Sequence, residues 1–385
     1  MKTYFKTLLL CIALIGFISC SAKNKKQNIA SNQLKAMHHE PNKQFIKVAL
    51  LLDTSNSMDG LIDQAKSQLW DIVNELSYAK CNNEKSNLLI ALYEYGNDRL
   101  SGKEGYIRQV LAFSDDLDEI SKELFSLTTN GGEEYCGQVI QKSLNQLNWG
   151  KNADDLKLIF IAGNEPFTQG KVSYKDASIN AKEKDVTINT IFCGDFNQGI
   201  STFWKDGAKL TNGDYMAINQ NNKTLHIASP YDDEILILNQ KLNKTYVAYG
   251  REGMQKMSLQ AEQDSNASVY SKANAVKRTV SKSSHLYKNK SWDLVDAVEL
   301  EEVKVEEISD DELPSELKGK TKTEIKSYVA KKSKEREVIQ NRIKELNSKR
   351  KDYVFKQKKD NTNSLENAMT KAIKEQAKKK KYSWE

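Results

Sequence analysis

Residues 48–52, Val-Ala-Leu-Leu-Leu, form an unbroken apolar run that stops on an acid, Asp53, and passes at once into Thr54-Ser55-Asn56-Ser57. A strand that is apolar on both faces has to be covered on both faces. That requirement belongs to the centre of a parallel sheet rather than to a half-solvated antiparallel one. A second run of this kind lies at 158–162. Around the two, strand-like stretches at 45–53, 88–95, 106–113, 156–162, 186–193 and 215–218 alternate with helix-like stretches at 61–76, 117–127, 138–147, 174–184, 200–210 and 232–249. This alternation predicts an α/β fold, a doubly wound, mostly parallel six-stranded sheet with helices on both faces. Ligands of such sheets bind beyond the carboxyl ends of the strands, which is where Asp53 falls.

An Asp followed by hydroxyls at alternate positions gathers three oxygens in one loop. Hard divalent cations take oxygen ligands, Mg2+ at about 2.0–2.1 Å. The same residues also suit a helix start, with Ser57 or Asp59 capping free N–H groups. Asp53-x-Ser55-x-Ser57, after a buried strand and before a helix, resembles the metal-ion-dependent adhesion site of von Willebrand factor A (VWA) domains. The resemblance spans 45–250 and implies a Rossmann-like fold. It implies a second metal loop at 127–137, where Gly131-Gly132-Glu133 places Glu133 toward the ion. Glu133 also reads as an acid in the first turn of a helix. In the third loop the family has Thr-Asp-Gly, and this chain has Ala162-Gly163-Asn164-Glu165. Gly163 stands where the usual acid would be, so Glu133 would replace its charge, and Asn164 or Glu165 would reach the ion directly or through water. The implied cofactor is Mg2+, or Mn2+ or Ca2+, with a position left for an acidic residue of a protein partner. The family topology also implies that Cys136 and Cys193 meet near the top of the sheet and form a disulfide, leaving Cys81 unpaired.

The amino end carries Lys2 and Lys6, an apolar stretch at 7–18, and Ser19-Cys20. This is the pattern of a secretory signal, residues 1–19. It is too short for a membrane span of about 20 apolar residues. Cys20 after a small residue resembles the bacterial lipobox, which implies lipidation at Cys20 and a membrane anchor. Ser21 in place of Asp favours the outer membrane of a Gram-negative cell. Residues 20–44 are polar and read as a flexible tether. With Cys11 in the signal and Cys20 lipidated, three cysteines remain in an oxidising compartment, enough for one disulfide.

Beyond 250 the α/β alternation ends. Residues 251–320 read as a polar, then acidic, connecting region. Residues 321–385 hold 20 Lys/Arg against nine Asp/Glu and read as a basic helical extension. Residues 321–355 fit one helix with a stripe of Ile325, Val329, Ile339, Ile343, Leu346 and Tyr353. Lys332, Arg336 and Arg350 interrupt the stripe, which argues against a long coiled coil. The extension therefore reads as an interaction arm that 45–250 can fold without. It would pair with the acidic 293–316 or lie along an anionic surface, and 378–384 read as mobile.

No Gly-x-Ser-x-Gly, Walker loop or Ser/His/Asp pattern is present, and His38, His39, His226 and His285 fall in no catalytic or metal spacing. The expectation is a non-enzymatic envelope lipoprotein that binds a protein partner. The alternatives are a regulatory accessory subunit of an envelope enzyme or transport complex, and a polyanion binder acting through the basic tail. No aromatic residues alternate with the lysines to stack bases, so nucleic acid is not expected.

Overall fold

The computed structural model describes residues 44–219, 221, 227–357 and 365–384. The signal sequence, Cys20 and most of the 20–44 tether lie outside the described residues. The chain runs through β1 (Phe45–Asp53), α1 (Asp59–Leu76), a hairpin of β2 (Ala79–Cys81) and β3 (Glu84–Lys85), β4 (Asn87–Tyr95), β5 (Ile107–Ser114), α2 (Leu117–Ser126) and α3 (Cys136–Gln146). It continues through β6 (Leu156–Gly163), α4 (Tyr174–Glu183), β7 (Thr187–Cys193), α5 (Phe196–Ser201), α6 (Trp204–Lys209) and β8 (Tyr215–Ile218). These make a six-stranded sheet in the order β5-β4-β1-β6-β7-β8. All neighbours are parallel except β4 and β5. The expected sheet is present, with the expected strands to within a residue or so at each end.

Period-two alternation in β1 explains its continuous apolarity. Ile46, Val48, Leu50 and Leu52 enter one core, while Ala49 and Leu51 enter the core on the opposite face. The same division corrects the disulfide expectation. Cys136 packs on the Leu51 face and Cys193 on the Leu52 face, and both are free thiols, as is Cys81. A sheet stands between the two sulfurs expected to pair.

The expected helix at 200–210 is two short helices, broken where Phe203 takes φ +72°. The one expected at 232–249 ends early, as α7 (Asp232–Asn243). Past it the extension is helical and packed, not a connecting region and a free arm. It comprises α8 (Gly253–Tyr270), α9 (Lys272–Lys282), α10 (Leu294–Glu299), α11 (Lys322–Gln357), α12 (Leu365–Ala377) and a short β9 (Tyr382–Trp384). Val276 and Val280 of α9, Ile343 and Leu346 of α11, and Met369 and Ile373 of α12 all join the core beneath Leu50 and Leu52. Residues 378–384, expected to be mobile, are held. β9 adds an antiparallel strand to β2, and the Tyr382 hydroxyl reaches Phe45 O at 3.3 Å.

The basic residues that break the α11 stripe are the bolts of this packing. Arg336 is buried and bonds Asp293 at 2.7 Å and Asp296 at 2.8 Å, with its guanidinium over the Tyr246 ring. Arg350 bonds Asp232 at 2.9 Å. The acidic stretch and the basic helix thus pair within the chain. A second buried cluster joins α2 to α8 and α9. Arg278 pairs with Asp118 at 2.8 Å and with Asp264 at 2.6 Å, and Lys282 pairs with Asp264 at 2.9 Å. Gln44–Glu385 form one compact unit.

Candidate functional site

β1 delivers Asp53 to the carboxyl edge of the sheet, where it is fully buried. Its Oδ1 accepts the Ser55 backbone N–H at 2.7 Å, which turns the loop sharply after the strand. Ser55 and Ser57 then place their hydroxyl oxygens 3.3 Å apart. Neither Ser57 nor Asp59 caps the helix that follows. A turn of 3-10 helix over Asn56–Met58 leads into α1 without a side-chain cap. The Asp59 carboxylate instead accepts the Thr129 hydroxyl from the second loop.

That second loop is tied through its backbone to the first loop and to the turn after β4. Asn130 N donates to Thr54 O at 2.9 Å, Asp98 N to Gly131 O at 2.6 Å, and the Asn97 amide to Thr128 O at 3.0 Å. Gly96 bends between them at φ +77°; a Cβ there would meet Glu134 Cγ at 2.6 Å and Asp53 Oδ1 at 2.9 Å. The acid that this loop aims at Asp53 is therefore Glu134, not Glu133. Glu133 is exposed, bonds Gln169 at 3.3 Å, and lies before α3 rather than in its first turn. Glu134 is buried. It is fixed by its own N–H donating to the Gln169 side chain at 2.8 Å.

In the third loop Asn164 bonds Ser57 through its amide, Nδ2 to Oγ, at 3.1 Å. Glu165 has an exposed side chain and uses its backbone carbonyl to accept the Trp204 indole N–H at 2.8 Å. Gly163 has no room for a side chain. A Cβ would lie 2.5 Å from the Tyr95 hydroxyl and 3.0 Å from Asp53 Oδ2. Tyr95, from the end of β4, donates to Ala162 O at 2.9 Å and roofs this corner. The structure thus assembles Asp53, Ser55, Ser57 and Asn164 in one place, adds Glu134 and Tyr95, and leaves Glu133 outside. Sequence reading missed Tyr95 and Glu134. The alternation Leu92-Tyr93-Glu94-Tyr95 marks Tyr95 as inward-facing. The segment before Cys136 has no regular period to choose between adjacent acids.

The electrostatics are strained. Burial pushes the Asp53 carboxyl up to about 7, against hydrogen bonds from Ser55, and the Glu165 charge adds to the rise. Burial, then the Asp53 charge, pushes Glu134 up to about 8. Asp53 Oδ2 and Glu134 Oε2 are both buried and accept no hydrogen bond among the described residues. Buried polar atoms are ordinarily paired, and these two are not. Two unpaired carboxylate oxygens beside two hydroxyls are a donor set of the kind a hard cation takes. Among the described residues no three His, Cys, Asp or Glu side chains cluster to hold a metal. This set has two carboxylates, Asp53 and Glu134.

The fold and the site together define a VWA domain. Residues 47–206 match the von Willebrand factor type A domain family, and the chain carries a domain of that family. Among solved structures the chain is similar to the conserved hypothetical protein BatB from Bacteroides thetaiotaomicron, with 15% identity, 45% of this chain and 90% of that one covered, and a TM-score of 0.35. It is also similar to the SpRpn10 VWA domain, with 15% identity, coverage of 46% and 90%, and a TM-score of 0.35. An aerotolerance-related membrane protein from Bacteroides fragilis is similar as well, with 16% identity, coverage of 46% and 93%, and a TM-score of 0.30. No curated protein sequence matches the chain.

Proposed function

We propose that this chain is a non-enzymatic docking protein whose VWA domain holds a protein partner through a divalent cation. Asp53, Ser55, Ser57 and Glu134 would hold Mg2+ or Mn2+, with Asn164 steadying Ser57. The ion would supply a Lewis-acidic position for a carboxylate of the partner. The observation that carries this reading is the pair of buried, unpaired carboxylate oxygens, Asp53 Oδ2 and Glu134 Oε2, at the ligand-binding edge of a VWA sheet. A cation would offset the burial of both groups, which the hydrogen bonds from Ser55 offset only in part.

Around the ion site, this chain's residues set the geometry. The Ser55 N–H orients Asp53, Gln169 holds the Glu134 backbone, and Tyr95 closes the side where another acid would enter. Lipidation at Cys20 would anchor the protein in the cell envelope, on the outer membrane. No helix among the described residues is long and apolar enough to cross a membrane.

Affinity capture of envelope proteins on the full chain tests the reading, with Mg2+, with chelator, and with Asp53→Asn in place of wild type. A partner that stays through the Mg2+ wash and leaves in both other arms is the expected result. A partner retained equally in all three overturns metal-dependent docking. Cys20→Ser should shift the protein from the detergent phase to the aqueous phase; a variant that remains with the detergent overturns the anchor.

A further inference from the structure

At the amino ends of the strands, away from Asp53, the end of α1, the β2–β3 hairpin, the end of α9 and the middle of α11 enclose a pocket of about 230 Å³. Its charged and ionisable lining is Tyr78, Lys80, Lys85, His285 and Lys344, and among the described residues no Asp or Glu lines it. Lys80 and Lys85 stand directly opposite each other across the hairpin, an arrangement that like charges disfavour. Partial desolvation of its ammonium, followed by the charges of Lys85 and Lys288, depresses Lys344 below an ordinary lysine although its side chain is exposed. Burial also lowers His285, whose Nε2 lies 3.0 Å from Ser86 O.

Among the described residues neither Lys85 nor Lys344 has a carboxylate within ion-pair distance. The side-chain amide of Asn347 lines the same pocket, is 6% exposed, and makes no hydrogen bond among the described residues. Its amide atoms open into the pocket rather than being sealed from water, so they are free to meet a ligand there. The lysines are not there to close helix ends. The last-turn carbonyls of Asn74, Val280 and Ser281 already accept the hydroxyls of Ser77, Ser283 and Ser284.

We propose that this pocket binds a phosphate group, with Lys85 and Lys344 supplying charge, Asn347 donating its amide, and His285 at the wall. Lysine is a point-charge donor suited to phosphate oxygens. The group can arrive on a soluble phosphate ester or on a lipid headgroup, and the chemistry at the pocket is shared. The site is independent of the cation site at Asp53.

The test is a titration of the full chain with inorganic phosphate against chloride of equal ionic strength. It is followed by nuclear magnetic resonance of the Asn347 amide and the His285 ring, with sedimentation on phosphatidylcholine vesicles with and without phosphatidic acid alongside. Saturable shifts of both resonances, weakened about tenfold or more in Lys85→Gln/Lys344→Gln, are expected. Both substitutions are on exposed residues, so the fold is kept. Shifts without vesicle retention assign a soluble ester. Retention that needs phosphatidic acid and both lysines assigns a headgroup. No saturable shift and no phosphatidic acid-dependent retention, or equal binding by the double variant, overturns the proposal.

Discussion

The phenol oxygen of Tyr95 occupies the space that a side chain at position 163 would need, since a Cβ on Gly163 would lie 2.5 Å from it. The loss of the third-loop acid and the presence of Tyr95 are therefore one structural fact. Gly163→Asp alone should overpack this corner and destabilise the fold by roughly 1–3 kcal/mol. Tyr95→Phe removes the obstructing oxygen and the bond to Ala162 O. The two substitutions should couple by about 0.5–3 kcal/mol in a double-mutant cycle measured by urea denaturation. Additive losses would mean that Tyr95 and position 163 do not compete for the same space.

Asp264 is the counter-charge for two buried cations, Arg278 and Lys282. Burial alone would raise its carboxyl, but Lys282 and then Arg278 outweigh that and hold it well below the usual range. A depressed acid contributes stability above its unfolded pKa, about 3.9, and loses it as pH falls below that value. Asp264→Asn should cost about 3–5 kcal/mol at pH 7, because it leaves buried charge unpaired. The gap between wild type and variant should narrow as the pH falls from 4 toward 2. A gap that is constant with pH would place the loss in packing rather than charge.

The helical extension is part of the core. Deleting 321–385 should leave the rest unable to fold cooperatively, because it strips Ile343, Leu346, Met369 and Ile373 from the layer beneath β1. Ile373→Ala, a single cavity in that layer, should cost roughly 2–5 kcal/mol. A thermal midpoint for 44–320 equal to that of the whole chain would restore the extension to the status of an arm.

Cys136 and Cys193 are buried thiols on opposite faces of the sheet, and burial pushes both well above an ordinary thiol. They should resist a thiol reagent in the native protein and react after unfolding. Reductant should leave the melting curve unchanged. A Cys136–Cys193 cross-linked peptide in a non-reduced digest would contradict the two-face arrangement.

The sheet was legible in the sequence because doubly buried strands are apolar without interruption and helices between them keep a 3.6-residue stripe. The Asp53-Ser55-Ser57 loop was legible for a related reason, since its residues fall at alternate positions within one short segment. What escaped depends on contacts between distant residues. Glu133 and Glu134 are neighbours in an irregular segment, and only the approach of Gly96 and Gln169 decides which one turns inward. Arg336 and Arg350 look like breaks in an apolar stripe until Asp293, Asp296 and Asp232 are seen to meet them. The acidic and basic stretches are each suited to solvent when read singly. Their pairing was one of the two expectations; its burial is a tertiary fact, and it turned an expected tail into part of the core. α8 and α9 were hidden because their buried faces are lined with polar residues such as Gln260, Gln263, Arg278 and Lys282.

Calorimetric titration of Mg2+ into the full chain, repeated with Glu134→Gln, Glu133→Gln and Asp53→Asn, addresses the cation site most directly. Saturable binding is predicted for wild type and Glu133→Gln, with binding weakened in Glu134→Gln and lost in Asp53→Asn. A cation that binds only the folded state adds about 2.7 kcal/mol of stability at a hundredfold excess over its Kd, so the thermal midpoint should follow the same order. No heat and no midpoint shift with wild type, or a loss that follows Glu133 instead of Glu134, would contradict the account.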